Sequence, residues 1–147
     1  MPKRVSPQEA RELVDAQGYV YVDVRSMPEF EAGHPTGAFN VPLLHMGPSG
    51  MSGMRPNPEF LDVMQKAFPR DAKLVVGCQA GGRSLKAADA LEAAGYTNVV
   101  DQRAGFEGAP DPRTGRPAEP GWRPAGLPVN REAAADHTYQ GLKVKPR

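Results

Sequence analysis

The residues best suited to chemistry lie in one short run from Leu74 to Ser84, which reads LVVGCQAGGRS. An apolar stretch of β-forming residues leads to Cys78, and two glycines then turn the chain toward a helix. A cysteine held rigidly at the end of a buried strand can act as a thiolate nucleophile when positive groups surround it. The run therefore predicts nucleophilic chemistry at Cys78.

The residues after the cysteine have the types expected of an anion-binding loop. Gly81 and Gly82 let the backbone curl so that successive N–H groups point inward. The following helix adds unsatisfied N–H groups and the positive end of its dipole, and Arg83 adds a fixed positive charge. The predicted substrate-binding loop comprises Gln79, Ala80, Gly81, Gly82, Arg83 and Ser84. The other interpretation of Cys78 is a buried cysteine that packs as a small hydrophobe, which is the usual role of a free cysteine.

The rest of the chain contains the elements that would position this loop. Short apolar runs predict buried strands at 19–24, 39–41, 73–77 and 98–101. Capping patterns and helical apolar spacing predict helices from Ser6 to Gly18, from Ser26 to Gly33, over 58–68 and over 84–94. Strands that alternate with helices and are apolar throughout indicate an α/β fold, with a mostly parallel sheet and helices on both faces.

Sites in such sheets form beyond the carboxyl ends of the strands. This rule selects the strand ends at Val24–Arg25, Gly77–Cys78 and Asp101–Gln102. Two roles fit Arg25: it attracts an anionic substrate, or it pairs with a carboxylate near the sheet edge. Both remain open from the residues alone.

Composition excludes several classes of protein. The chain has 147 residues, one cysteine, and 18 Lys and Arg against 17 Asp and Glu. One domain is expected, without an intramolecular disulfide or a cysteine-based zinc site. The balanced charge gives no support for nucleic-acid binding, and no apolar run is long enough to span a membrane. We expect no metal, no cofactor, no signal peptide and, given the lone thiol, a cytoplasmic location.

The loop resembles that of the rhodanese family of sulfurtransferases, and the match extends well beyond it. Asp23-Val24-Arg25 is similar to an Asp-Val-Arg that follows an early strand of the family. Residues 29–42 resemble its Glu-Phe-x-x-Gly-His-x-x-Gly-Ala-x-Asn-hydrophobic-Pro segment, and 126–129, after Trp122, resemble its closing Gly-Leu-Pro-Val. The resemblance covers about residues 5–130 and is greatest to single-domain thiosulfate sulfurtransferases.

The resemblance implies a rhodanese-like fold and a double displacement. Cys78 would take the outer sulfur of thiosulfate or a similar donor as a persulfide, then pass it to cyanide or a thiol. Because the chain has no second cysteine, the acceptor must be external, for example a protein thiol of thioredoxin type. The alternatives are a non-catalytic persulfide carrier and a phosphatase-like or arsenate-reducing enzyme. Relatives of the last kind have a loop one residue longer than the loop from Cys78 to Arg83.

The sequence predicts a rhodanese domain over residues 1–130 and a C-terminal tail over 131–147. Within the domain, 107–121 form a proline- and glycine-rich insertion relative to the family. The insertion is either a lid beside the active site or a solvated surface loop, and we expect the surface loop. The tail has few apolar groups, and we expect it to be mobile or to lie over the surface.

Overall fold

The computed structural model describes residues 2–47, 50–110, 113–115 and 117–144. The helices within these residues are α1 (Pro7–Ala16), α2 (Met27–Ala32), α3 (Phe60–Ala67), α4 (Gly82–Ala93) and α5 (Tyr139–Val144), the last preceded by a 3₁₀ turn at Ala135–His137. The strands are β1 (Lys3–Val5), β2 (Val20–Asp23), β3 (His34–Pro35), β4 (Phe39–Asn40), β5 (Leu44–Gly47), β6 (Gly50–Pro56), β7 (Lys73–Gly77), β8 (Asn98–Gln102), β9 (Gly108–Pro110), β10 (Pro117–Pro120) and β11 (Val129–Asn130).

Five of the strands form one sheet in the order β1-β8-β7-β2-β4, and every neighbouring pair is parallel. The register places Asp23 opposite Gly77 and Val76 opposite Asp101. The carboxyl ends of β2, β7 and β8 therefore meet at one edge, as the sequence predicts. The α/β fold with a mostly parallel sheet is confirmed.

Two layers of core cover the two faces of this sheet. Val76 packs with the first core cluster, which includes Met64 of α3, Leu91 of α4 and Leu142 of α5. Val75 points to the other face and packs with the second core cluster, which includes Ala10 of α1, Phe30 of α2 and Trp122. Because both faces are buried, the central strands have no polar face, which explains their uninterrupted apolar sequence. Burying each large apolar side chain contributes about 1.5–3 kcal/mol.

Two helix starts follow the predicted capping patterns. Ser6 Oγ accepts the Glu9 N–H at 3.1 Å, and Glu9 Oε1 accepts the Ser6 N–H at 2.9 Å. At α2, the Ser26 N–H donates to Glu29 Oε1 at 3.1 Å. These contacts satisfy N–H groups that the first turn of a helix leaves unpaired.

Two segments rich in glycine and proline, about residues 46–58 and 107–121, contain strands that their composition does not indicate. Strands β5 and β6 pair antiparallel, and so do β9 and β10 within the predicted insertion. Residues 111–112 and 116 of the insertion, and 145–147 of the predicted tail, lie outside the described residues.

The C-terminal segment differs from the expected mobile or surface-lying tail. Tyr139 and Leu142 are buried and belong to the first core cluster. The Asn57 side-chain amide donates to the Tyr139 hydroxyl at 3.1 Å, and His137 stacks on Phe39 with ring centroids 3.7 Å apart. Two apolar residues at helical spacing are enough to fix this segment, although its overall composition is polar.

Candidate active site

Cys78 directly follows β7, at the carboxyl edge of the sheet. Its Sγ accepts the Gly81 N–H at 3.1 Å and lies 3.5 Å from Ser84 Oγ. Gly81 has φ +101° and lies immediately before α4, so the helix begins next to the sulfur. The curled backbone and helix start that the sequence predicts are therefore present around Cys78.

Gly81 and Gly82 have different structural roles in the loop. A Cβ on Gly81 would lie 2.3 Å from the carbonyl oxygen of Arg103, and its φ is one that side chains rarely adopt. Gly82 is the first residue of α4, has no positive φ, and a Cβ there would meet no atom within 4 Å. Only Gly81 is required by the turn.

Cys78 is 2% exposed and contacts the first core cluster. Burial alone fits the interpretation of an inert, hydrophobic cysteine. The backbone N–H on its sulfur does not, since an apolar packing role needs no hydrogen-bond donor at that atom. The surroundings of Cys78 therefore favour the nucleophile.

Arg83 is held by a residue that sequence analysis did not select. Its Nη1 and Nη2 donate to the two carboxylate oxygens of Glu29, at 2.7 and 3.0 Å. Only 14% of the Arg83 side chain and 12% of the Glu29 side chain are exposed. Glu29 of α2 therefore fixes the positive charge of Arg83 beside the loop through a bidentate ion pair.

This pair also affects the ionisation of Glu29. Burial raises the pKa of the Glu29 carboxyl. The hydrogen bonds and positive charge of Arg83, together with the hydrogen bonds from the Ser26 backbone and side chain, outweigh burial, and the pKa falls below its ordinary value. Glu29 therefore carries its negative charge over an extended acid range.

Arg25 makes several hydrogen bonds within the protein. Its guanidinium donates to both oxygens of Asp23, with the shortest contact at 2.7 Å, and to the carbonyl of Gly33 at 2.6 Å. Its Nη1 also donates to Gln79 Oε1 at 3.3 Å, and its Cζ lies 4.3 Å from the centre of the Phe106 ring. The carboxylate-pairing role considered from sequence is present, and the Gln79 contact links Arg25 to the loop.

The loop backbone is also held from the side of the predicted insertion. The Cys78 carbonyl accepts the Phe106 N–H at 2.7 Å, and the Gln79 carbonyl accepts the Glu107 N–H at 3.1 Å. A Cβ on Gly105 would lie 2.5 Å from the Gln79 carbonyl, so the two backbones touch. The insertion thus begins against the Cys78 loop, and β9 and β10 extend from there.

A pocket of about 260 Å³ opens beside the loop. Its lining residues are Arg25, Glu29, Ala32, Gly33, Gln79, Phe106, Glu107 and Arg123. At its rim the Arg123 Nε donates to both oxygens of Glu107, at 2.7 and 2.9 Å. Of the predicted substrate-binding residues, Arg25 and Gln79 line this pocket, whereas Ala80 and Gly82 are exposed on the loop.

Another ion pair lies beneath the loop. The Arg4 Nε donates to Asp101 Oδ2 at 2.7 Å, and Arg4 Nη2 lies 3.5 Å from the carbonyl of Gly81. Asp101 ends a predicted strand at the selected sheet edge, so its position was foreseeable. Nothing in the sequence near Arg4 indicates that it reaches this site.

The described part of the chain contains no group of three or more His, Cys, Asp or Glu side chains placed to hold a metal ion. None of the helices described is both long enough and apolar enough to cross a membrane.

Comparison with known proteins identifies relatives in sequence and in structure. The chain is 44% identical over 106 residues to thiosulfate sulfurtransferase 16, chloroplastic, of Arabidopsis thaliana, which covers 72% of this chain and 85% of that protein. It is 32% identical to the protein HIGH ARSENIC CONTENT 1, mitochondrial, of the same plant, over 71% of this chain and 63% of that protein. The chain spans 56% of the length of two further curated relatives.

Among solved structures, Rv0390 from M. tuberculosis superposes with a TM-score of 0.71 and 30% sequence identity, covering 88% of this chain and 98% of that chain. Residues 6–109 match the family described as the rhodanese-like domain. This match spans most of the chain and includes the strand, loop and helix around Cys78. The chain belongs to the rhodanese-like domain family.

Proposed function

We propose that this protein is a thiosulfate sulfurtransferase that carries sulfur as a persulfide on Cys78. The observation that carries the proposal is the Gly81 N–H on Cys78 Sγ at 3.1 Å, at the start of α4. That donor and the helix N-terminus stabilise negative charge at the sulfur atom. The 44% identity to a thiosulfate sulfurtransferase supports the same reaction class.

The reaction proceeds in two displacements at sulfur. The Cys78 thiolate attacks the outer sulfur of thiosulfate, the S–S bond of thiosulfate breaks, and sulfite leaves with its electron pair. The new persulfide carries its negative charge on the terminal sulfur, near the loop N–H groups. Cyanide then attacks that sulfur, which releases thiocyanate and restores the Cys78 thiolate.

The loop residues have separate roles in this cycle. Gly81 donates to the sulfur, and the backbone from Gln79 to Ser84 surrounds the transferred sulfur and its donor. Arg83 supplies positive charge from a position fixed by Glu29. Arg25 acts through Gln79, to which it donates at 3.3 Å, and so orients the loop toward an anionic donor.

The sulfur acceptor is external to the chain. Cys78 is the one cysteine in the sequence, so no second thiol of the same chain resolves the persulfide. We infer a small thiol or a thioredoxin-like protein thiol as acceptor, and a reducing compartment such as the cytoplasm as the location.

Two alternative functions are distinguishable from this one. A persulfide carrier accepts sulfur from a protein donor but turns over thiosulfate poorly. An arsenate-reducing or phosphatase-like enzyme needs a loop for a tetrahedral centre, and the loop from Cys78 to Arg83 has only six residues. One relative is named for high arsenic content, so arsenate is the control substrate that tests for the arsenate-reducing alternative.

Incubation with thiosulfate tests the proposal. We expect a mass increase of about 32 Da, one sulfur atom, on Cys78, and thiocyanate when cyanide follows. Cys78→Ser should show neither. Absence of both from the wild-type protein refutes the proposal, and arsenate reduction without thiocyanate formation favours the alternative enzyme.

A further inference from the structure

Arg4 lies beneath the Cys78 loop because of the way in which the first strand pairs. Strand β1 runs parallel to β8, and the register places Arg4 opposite Asp101 near the carboxyl end of β8. The Arg103 N–H donates to the carbonyl of Val5 at 3.0 Å, which continues this pairing past the end of β8. The strand therefore fixes where Arg4 lies relative to the loop.

The guanidinium of Arg4 joins a buried carboxylate to the loop backbone. Its Nε donates to Asp101 Oδ2 at 2.7 Å, and its Nη2 donates to the carbonyl of Gly81 at 3.5 Å. The Asp101 side chain has no exposed surface, whereas 38% of the Arg4 side chain is exposed. Because a short bond to a buried carboxylate fixes the planar guanidinium, it also fixes the nitrogen that faces Gly81.

Gly81 connects Arg4 to the sulfur atom. Its carbonyl accepts from Arg4, and its N–H donates to Cys78 Sγ at 3.1 Å. The Ser84 hydroxyl and the Leu85 N–H donate to the same carbonyl, each at 3.3 Å, but both follow Gly81 closely in α4. Arg4 instead comes from 77 positions away, so it holds Gly81 relative to the sheet.

We propose that Arg4, held by Asp101, is a positioning residue that keeps the Gly81 N–H directed at Cys78 Sγ. The value of that N–H for sulfur transfer rests on the proposed function. Arg4 acts on the sulfur through Gly81, and it takes no part in making or breaking bonds. The role therefore depends on the geometry of one planar guanidinium between a carboxylate and a carbonyl.

A purely structural role for Arg4 would be to hold β1 against β8 through Asp101. That role uses the 2.7 Å contact and leaves the contact with Gly81 without a function. The two roles predict different results when the side chain is removed. Loss of a link between strands changes the stability of the whole domain, whereas loss of a positioning residue changes the loop more than the core.

Hydrogen exchange of the Gly81 amide, followed by NMR, measures this positioning directly. The amide of Val75, in the buried strand β7, reports on opening of the core in the same sample. The measured quantity is the ratio of the Gly81 rate to the Val75 rate. In Arg4→Ala we expect this ratio to rise at least about fivefold, because the Gly81 N–H loses its hydrogen bond to the sulfur.

Arg103→Ala is the matched control for that variant. The Arg103 side chain is 40% exposed, close to the value for Arg4, and its Nε and Nη2 donate to the carboxylate of Glu119 on β10. The control therefore removes one positive charge near the end of the same strand pair without removing a side-chain contact to the Gly81 carbonyl. Its exchange ratio should stay at the wild-type value.

Free guanidinium ion separates positioning from a link between strands. It is added to Arg4→Ala far below the molar concentrations that unfold proteins. The ion can fill the partly exposed space left by the side chain and contact both Asp101 and Gly81, but it cannot tie β1 to β8. We expect it to lower the exchange ratio toward the wild-type value. Ammonium ion at the same ionic strength should not, because it lacks the planar fork of donors.

An unchanged ratio in Arg4→Ala, or a raised ratio that guanidinium does not lower, overturns the proposal. If Arg4→Ala does not fold, Arg4→Lys decides: its single nitrogen replaces one contact of the guanidinium, so the ratio should rise, and an unchanged ratio overturns the proposal. The exchange measurement needs no sulfur donor. An unchanged ratio in a protein that still gains about 32 Da from thiosulfate therefore refutes the role of Arg4 alone, and a raised ratio without that gain refutes the proposed function alone.

Discussion

Glu29 and Arg83 lie 54 positions apart in the sequence, yet their side chains form two parallel hydrogen bonds of 2.7 and 3.0 Å. Glu29 also caps α2 through the Ser26 N–H. The same carboxylate therefore caps the N-terminus of α2 and fixes Arg83 at the start of α4.

Replacing this carboxylate should destabilise the fold. Glu29→Gln keeps the size of the side chain but leaves the mostly buried Arg83 without its counter-charge, and we expect a loss of about 2 kcal/mol in the free energy of unfolding. Urea denaturation measures it. Glu107→Gln is the control, because the Glu107–Arg123 pair lies at the exposed rim and such pairs contribute about 1 kcal/mol or less. Equal losses in the two variants would contradict this assignment.

The stabilising effect of Glu29 should depend on pH. The pKa of Glu29 in the folded protein lies below its ordinary value, so the unfolded chain binds more protons as the pH falls. Its contribution is present above the ordinary carboxyl pKa and is lost as the pH falls through the folded value. The stability difference between wild type and Glu29→Gln should therefore shrink in acid, and a difference that stays constant would argue against the pair.

Gly81→Ala should distort the loop around Cys78, whereas Gly82→Ala should not destabilise the fold. At Gly81 the new Cβ meets the Arg103 carbonyl at 2.3 Å with φ at +101°, so the loop must shift and the N–H leaves the sulfur. Loss of one such donor lowers the rate of persulfide formation about 100-fold. Mass spectrometry after a thiosulfate pulse measures this rate.

Gly82→Ala serves as the stability control for that variant. The added Cβ has open space, and alanine restricts the unfolded chain, so the free energy of unfolding should stay equal or rise by about 0.4–1 kcal/mol. Destabilisation of both variants to the same degree would show that the turn is not specific to Gly81.

The C-terminal helix should prove integral to the domain. Leu142 is 2% exposed and belongs to the first core cluster, so Leu142→Ala should lower the free energy of unfolding by about 3 kcal/mol. Val144 is 79% exposed, and Val144→Ala should change it by less than about 0.5 kcal/mol. Both are measured in urea, and an unchanged stability for Leu142→Ala would mean that α5 does not pack on the core in solution.

The sequence predicts the structure best where the signal is local. Several patterns specify structure within a few residues. They are the apolar run that ends at Gly77, the capping patterns at Ser6 and Ser26, and Gly81 in the loop after Cys78. The strand ends chosen by the sheet rule also meet at one edge, since Asp23 lies opposite Gly77.

Contacts that join distant parts of the chain are not encoded in local spacing. Arg4 reaches Asp101 across 97 positions, and the Asn57 amide reaches Tyr139 across 82. Composition also misleads where a few apolar residues decide the outcome, as in α5, where two buried side chains fix a polar segment. The roles of the predicted loop residues in binding a sulfur donor stay predictions.

Trp122 gives the protein a built-in optical reporter. It is the sole tryptophan in the sequence, and its ring packs edge-on against Tyr21 with centroids 5.3 Å apart. Its backbone N–H donates to the carbonyl of Gly105 at 2.9 Å, and the Gly105 backbone touches Gln79, the residue after Cys78. Tryptophan fluorescence therefore reports on one indole that is linked through backbone contacts to the Cys78 loop, and under the proposed function we expect sulfur loading of Cys78 to change this fluorescence in unlabelled protein.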